Sequence, residues 1–238
     1  MFQTIFNTPL FNALIFIYNT IAFQDLGLAI IFLTFLIRII FLPLFYKSAK
    51  NQILIQRLQP ELNKIQHDHK DNREKQAQAM MDLYKKHNVN PFSGFLMLLI
   101  QLPVLIAIYR VFLEGFRPEA LGQLYSFIAK PTELHTSLFG LLDLGKPSIL
   151  MVSLAAAAQY WQGRLALPKI GGKKDLSQPE KIAKQMVYLG PVLTIVILVN
   201  LPAAIGLYWL ITSVFSVVQQ IYINKTLNIE GEKKEHKI

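Results

Sequence analysis

Leu26-Gly27-Leu28-Ala29-Ile30-Ile31-Phe32-Leu33-Thr34-Phe35-Leu36-Ile37-Arg38-Ile39-Ile40-Phe41-Leu42-Pro43-Leu44-Phe45 is a run of 20 residues with a single charge, Arg38. An α-helix rises about 1.5 Å per residue, so such a run matches a hydrocarbon layer roughly 30 Å thick. The arginine makes it more than a greasy helix. A guanidinium keeps its proton in proteins, and holding it inside a bilayer costs roughly 2.5 to 3.5 kcal/mol on insertion scales. It must face a partner, a headgroup or water. Asp25, Glu114 and Asp143 all stand at or beyond the ends of apolar runs, so an ion pair is poorly supplied. Snorkelling toward headgroups beyond Phe45 is one solution. A polar space inside the protein is the other.

The rest of the chain agrees with a membrane reading. Of its 238 residues 53% are apolar and only 16% charged, against about 25% in soluble domains; the mean hydropathy is +0.35. Four further apolar runs cover 92–113, 148–163, 185–201 and 203–223, the last two parted by an Asn200-Leu201-Pro202 turn. With 25–45 they predict an all-α, polytopic membrane protein of five spans, the third short enough to need extension into its flanks or local thinning of the bilayer. The net charge of +9 does not point to a nucleic acid, because the basic residues fall between apolar runs. Residues 46–91 hold nine Lys/Arg, 114–147 three, 164–184 six, the fourth connection none and the tail 224–238 four. This alternation predicts an outside N-terminus and a cytoplasmic C-terminus. With no cysteine there is no disulfide, lipidated thiol or thiolate metal site. Met1-Phe2-Gln3 lacks a positive n-region, so a cleaved signal peptide is not expected.

Two segments outside the spans carry helical patterns. In residues 1–24, Phe6, Leu10, Leu14, Ile17 and Ile21 recur at three- to four-residue spacing. That spacing predicts an amphipathic helix on the outer interface; a sixth span is the alternative. Residues 46–91 place Leu54, Leu58, Leu62 and Ile65 in one stripe and Ala77, Met80, Met81 and Tyr84 in another, around a polar His67-Asp68-His69-Lys70-Asp71-Asn72 turn. A cytoplasmic helical hairpin follows, with Pro60 opening a helical segment and Asp71 with Glu74 as its capping box. Asn90-Pro91 is expected to cap and start the second span.

Polar residues inside the spans are the candidates for function. Gln101, Gln159, Gln162, Thr212, Ser213 and Ser216 join Arg38 as possible lining of a polar cavity, although glutamines also bond one another across packed helices. Gln219 and Gln220 lie near a cytoplasmic end. Trp209 is mid-span, where it serves packing or touches a passing apolar segment. Signatures of covalent catalysis are missing: there is no His-Glu-x-x-His, Gly-rich phosphate loop or nucleophile elbow. His67 and His69 bracket Asp68 but read as a solvated turn, and Gly171-Gly172-Lys173-Lys174 reads as a flexible basic turn. No enzyme, cofactor or metal is expected.

Several of these stretches together resemble one family. Gly27-Leu28-Ala29-Ile30-Ile31 with Thr34, Arg38 and Leu42-Pro43-Leu44 looks like the first conserved span of the YidC membrane insertases. Leu58-Gln59-Pro60-Glu61-Leu62 and Tyr84-Lys85-Lys86-His87-Asn88-Val89-Asn90-Pro91 resemble the two arms of its hairpin. Gln101-Leu102-Pro103-Val104, Leu138-Phe139-Gly140-Leu141, Leu201-Pro202-Ala203 and Leu207-Tyr208-Trp209 continue the series in order.

The resemblance implies a protein of the bacterial plasma membrane that inserts and helps fold nascent integral membrane proteins, alone or with the Sec translocon. It places Arg38 in a hydrophilic groove open to the cytoplasm and to lipid but closed toward the outside, with Gln159 and Trp209 at positions associated with that groove; Gln101, Gln162 and Ser213 join them as groove candidates by their place within the spans. It makes the hairpin, with Pro60, Glu61, His67, Asp68, Tyr84 and Lys85, a mobile element that meets ribosome and signal-recognition-particle components as well as membrane lipids. Set against the proteobacterial pattern, no large periplasmic domain with a span before it is expected, and against many Gram-positive members no lipoprotein cysteine. Its short tail sets Lys225, Lys233, Lys234 and Lys237 against Glu230, Glu232 and Glu235, which weakens the case for a ribosome contact there.

Overall fold

The structure, a computed structural model, describes residues 6–114, 121–167 and 178–235. Arg117, Lys169, Gly171-Gly172-Lys173-Lys174, Lys237 and Met1-Phe2-Gln3 lie outside the described residues. Among the described residues there are nine helices and one short strand pair: α1 Thr8–Thr20, α2 Leu26–Ile40, α3 Leu42–Arg57, α4 Gln59–Asp68, α5 Arg73–Lys86, α6 Ser93–Glu114, β1 Ser137–Leu138, β2 Leu142–Asp143, α7 Ile149–Ala166, α8 Gln178–Leu198 and α9 Ala203–Glu235. The expected all-α fold therefore holds apart from β1 and β2, which pair antiparallel across a turn with Phe139 and Gly140 at positive φ. Strands of two residues leave no period to read.

The helix expected over 25–45 ends early. Asp25 starts it by accepting the Leu28 N–H at 2.8 Å. At Phe41 the chain bends by 68° into α3. Pro43 has no N–H to donate and its ring crowds the carbonyl four residues back, so the elbow falls there. Residues 42–57 then run as one helix, where the sequence suggested a span end at Phe45 and a separate arm. The last helix also differs, continuing unbroken from 203 to 235 through what reads as a tail. Among the described residues, Ala203–Thr226 is the helix long and apolar enough by itself to cross a membrane, and α2 with α3 forms a second candidate only as a bent pair. Helix α7 has 18 residues, but Gln159, Gln162 and Arg164 dilute its apolar character.

The core joins α1, α2 and the start of α9. Leu14, Ile15, Tyr18, Leu26, Ile30, Leu33, Leu144, Ala204 and Leu207 are fully or nearly fully buried in one cluster. The outer stripe assigned to α1 shifts accordingly: Phe6 and Ile21 are exposed, and the packed face runs through Phe11, Leu14, Ile15 and Tyr18. Polar groups fix that face. Buried Asn12 donates to Gln123 O at 3.2 Å and accepts the Tyr125 N–H at 2.7 Å, and Tyr18 Oη accepts the His135 N–H at 3.0 Å. The asparagine that interrupts the apolar pattern is thus the anchor of the 121–145 segment.

This segment caps one end of the bundle. Phe139 N–H donates to Asp25, and the first amides of α9 donate to Lys146 O at 2.8 Å and Leu144 O at 3.1 Å. Lys146 Nζ, 3.0 Å away, and then the Gly145 amide hold the Asp143 carboxyl below the ordinary carboxylate range. A carboxyl lowered on folding stabilises the fold above its unfolded pKa, and the contribution is lost as pH falls through the folded value. Hydrogen exchange at Gly145, corrected for its intrinsic rate, is expected to speed up below that range. Lys146→Met should move the change to higher pH.

At the opposite end α4 and α5 pack together through Leu58, Leu62, Leu83 and Val89, with Leu54, Ile65, Met80 and Tyr84 at the edge. Ala77 and Met81, expected in the stripe, are exposed, because the turn through α5 places Leu83 inward instead. The cap of α5 is Asn72, whose side chain accepts the Lys75 N–H at 3.0 Å, in place of the expected Asp71–Glu74 box. Asn90 and Pro91 form the turn before α6, which begins at Ser93. Leu62 is 2% exposed at the centre of the pair. Leu62→Ala should cost about 2 to 5 kcal/mol locally, seen as faster hydrogen exchange over residues 59–86 with α2 and α9 unchanged.

Candidate substrate groove

Arg38 stands in the last turn of α2 and is 6% exposed. Its Nη2 donates to the Thr212 carbonyl of α9 at 3.2 Å. Its Cζ lies 4.3 Å from the Phe45 ring centroid and 5.7 Å from that of Phe215. Stacking of this kind contributes roughly 0.5 to 2 kcal/mol. Among the described residues no carboxylate comes within ion-pair distance of it. A buried cation with one backbone acceptor has most of its N–H donors left over. Those donors need water or a ligand, since desolvating an unpaired charge costs several kcal/mol.

A cavity of about 270 Å³ meets that need. It is lined by Arg38, Phe45, Ser48, Ala49, Gln52, Gln162, Ser216, Gln219 and Gln220. Each element contributes for a local reason. The elbow at Phe41 swings α3 under the end of α2, bringing Ser48 and Gln52 toward the guanidinium. Helix α9 offers Ser216, Gln219 and Gln220 on one face at three- and four-residue spacing. Helix α7 supplies Gln162, and its final carbonyls are tied by Gln56 Nε2 to Ala166 O at 2.6 Å and Asn224 Nδ2 to Leu165 O at 3.1 Å. Gln219 Nε2 is buried without a hydrogen-bond partner. An orphaned amide beside an unpaired guanidinium marks a space suited to polar guests.

The cavity is one-sided. Toward the 121–145 cap, the space between α2 and α9 is filled by Ile30, Leu33, Ala204 and Leu207. Polar lining begins only at the level of Arg38.

Of the residues picked from sequence, the structure brings Gln162 and Ser216, with Gln219 and Gln220, to the cavity beside Arg38 and the Thr212 carbonyl to Arg38 itself, and leaves the others elsewhere. Gln101 donates to Tyr208 Oη, and Gln159 accepts from Thr194 Oγ1, so both act as bonds between helices. Ser213 is buried one residue beyond the Arg38 acceptor but does not line the cavity. Trp209 packs against the Val152, Ala155, Leu198 and Ile205 cluster. Pro60, Glu61, His67, Asp68, Tyr84 and Lys85 lie on α4 and α5, away from the cavity. Glu61 is 4.0 Å from His87, and His67 is 3.6 Å from Asp68 on an open surface. Burial pushes the Tyr84 phenol above its ordinary range. Ser48, Gln52 and Phe45 were missed as lining; Pro43 was their one sequence signal, because a break there turns the next helix.

Residues 16–232 match the family described as 60Kd inner membrane protein. A membrane protein insertase YidC from Clostridium tetani is 36% identical over 201 residues, covering 84% of this chain and 81% of that protein. The Fusobacterium nucleatum protein of the same name is 33% identical, covering 84% and 87%. That of Geobacter sulfurreducens is 30% identical over 228 residues, 94% of this chain but only 38% of the longer relative. Among solved structures, the active YidC insertase with its first transmembrane domain resolved superposes with a TM-score of 0.58 at 24% identity, covering 91% of this chain and 45% of that one. A bent helix carrying a buried arginine beside a one-sided polar cavity thus sits on the fold of that insertase, and the chain belongs to the YidC family of the 60Kd inner membrane protein.

Proposed function

We propose that this protein inserts nascent integral membrane proteins into the bacterial plasma membrane and helps them fold, working alone or with the Sec translocon. The observation that carries the reading is Arg38, buried with spare donors at the edge of a polar cavity that apolar packing closes on one side only. In this reading five spans cross the membrane, with the 121–145 cap outside and the α4–α5 hairpin and C-terminus in the cytoplasm. A short polar tail of the client enters the cavity from the cytoplasm. The cavity spares its polar groups the full cost of transfer into hydrocarbon, and the guanidinium attracts its acidic residues through a medium that screens less than bulk water. The client's apolar helix then leaves water for lipid, at roughly 25 cal/mol per Å² of apolar surface. Membrane potential adds about 2.3 kcal/mol per charge per 100 mV where it is present. No covalent step is involved, and the hairpin is the element offered to ribosome and signal-recognition-particle components.

The test is to synthesise a single-spanning client with a short acidic N-terminal tail beside liposomes carrying the purified protein. Protection of the tail from protease that depends on the protein supports the reading. Equal protection in protein-free liposomes, or client folding without tail translocation, sinks it. Anion flux through the same liposomes would favour a transporter instead.

A further inference from the structure

We propose that the elbow helix α3 holds one phospholipid with an anionic headgroup, seated across Lys47, at a site that adjoins the Arg38 cavity and shares Ser48 and Gln219 with its wall. Two further cavities flank α3, and Lys47 is the residue they share. The first, about 530 Å³, has mostly polar side chains around it: Lys47, Ser48 and Asn51 of α3 face Asn88, Asn90 and Ser93 across it, with Leu44 and Val89 completing the wall. The second, about 580 Å³, is an apolar groove between Leu42, Pro43 and Tyr46 of α3 and Phe215, Val218 and Tyr222 of α9. Helical spacing makes this possible, since 44, 47, 48 and 51 share one face while 42, 43 and 46 share the next. Lys47 stands on the ridge between them.

The chemistry of the polar chamber selects an anion. Among the described residues no carboxylate lines either cavity. Among the described residues Lys47 has no ion-pair partner, and the side-chain amides of Asn51 and Asn88 have no hydrogen-bond partner. Asn90 accepts the Phe92 N–H at 2.8 Å through its oxygen, which leaves its NH₂ to donate. The wall is built in advance: Ser48 Oγ donates to Ser93 O at 2.9 Å, and Asn88 holds a left-handed turn at φ 53°. The N-terminal end of α6 adds its positive dipole end beside Ser93. A free phosphate would use this chamber alone. An apolar groove joined to it at the lysine fits a molecule with both parts, a headgroup and an acyl chain. Bound there, the lipid bridges α3 to α9.

Native mass spectrometry of the full chain in detergent tests this, with phosphatidylglycerol and phosphatidylcholine of the same acyl chains, and glycerol phosphate as the headgroup alone. One phosphatidylglycerol is expected to bind saturably, about fivefold more tightly than phosphatidylcholine, as one basic side chain near an anionic headgroup provides. Lys47→Gln should abolish that preference, Lys47→Arg should keep it, and Val218→Trp should weaken both lipids by filling the groove. Lys70→Gln, which removes an exposed charge elsewhere, should change nothing. Equal binding of the two lipids, a preference that survives Lys47→Gln, or competition by glycerol phosphate at the lipid's own concentration would each overturn the proposal.

Discussion

Arg38→Ala is expected to lower translocation of an acidic client tail on the order of 100-fold while leaving the fold as stable as before, or more so. A carboxylate about 6 Å from the guanidinium, at an effective dielectric near 20, gains about 3 kcal/mol, which sets the factor. Stability should move the other way because the arginine is buried with one backbone acceptor and two ring faces but no counter-ion. Removing such a charge relieves its desolvation cost. The pairing of lost activity with kept or raised melting temperature separates a functional arginine from a structural one. Arg38→Lys should fall between, keeping the charge but losing the planar stacking on Phe45. The measurement is protease protection with tails that are acidic, neutral or basic. If neutral and acidic tails suffer equally, the electrostatic step is wrong.

Gly27→Ala is expected to produce the largest loss of stability from a single methyl group. A Cβ at Gly27 would stand 2.7 Å from Leu138 Cβ and 3.0 Å from Leu138 Cα. The backbone of the cap would have to retreat, at about 1 to 3 kcal/mol for overpacking of this kind. Asp25 would move with it, loosening its grip on Phe139 N–H and Leu28 N–H. Thermal unfolding and protease cutting within 121–147 report the change. Leu138→Ala in the same chain should restore only part of the loss, because alanine keeps the backbone and the Cβ that stand in the way. Gly163→Ala is the matched control: its new Cβ meets Val187 at 3.5 Å, an ordinary separation, and a helical glycine gains from the change. Equal losses at both positions would refute the argument from close approach.

What could be read from sequence was what composition and spacing express. The apolar run around Arg38 and the cost of its charge needed no coordinates. The cavity wall did, because Ser48 and Gln52 are ordinary polar residues until the 68° elbow turns them toward α2. Gln101 and Gln159 were legible as polar groups that require partners inside apolar helices. Nothing in their spacing named Tyr208 and Thr194, which come from other helices, 107 and 35 positions away. The first stripe crosses the break at Leu58 and still packs, whereas on α5 Leu83 turns inward and leaves Ala77 and Met81 exposed, which the three- and four-residue spacing alone does not tell apart. Asn12 reads as an interruption because its bonds go to residues more than a hundred positions away.

The first amides of α9 are hydrogen-bonded to the carbonyls of Leu144 and Lys146, and that helix then runs past Arg38 as a 24-residue candidate span, Ala203–Thr226. At about 1.5 Å per residue its far end lies roughly 36 Å from this clamp. A rod gripped at one end behaves as a lever, with displacement proportional to distance from the fulcrum. A tilt of about 5° would leave the gripped end in place and carry the far end roughly 3 Å, about the width of a water molecule, over the rod length given by the helical rise. Asn224 and Gln56 tie the helices at that far end to the last carbonyls of α7, so any displacement at Gln219 and Gln220 is shared among α3, α7 and α9 around the polar space.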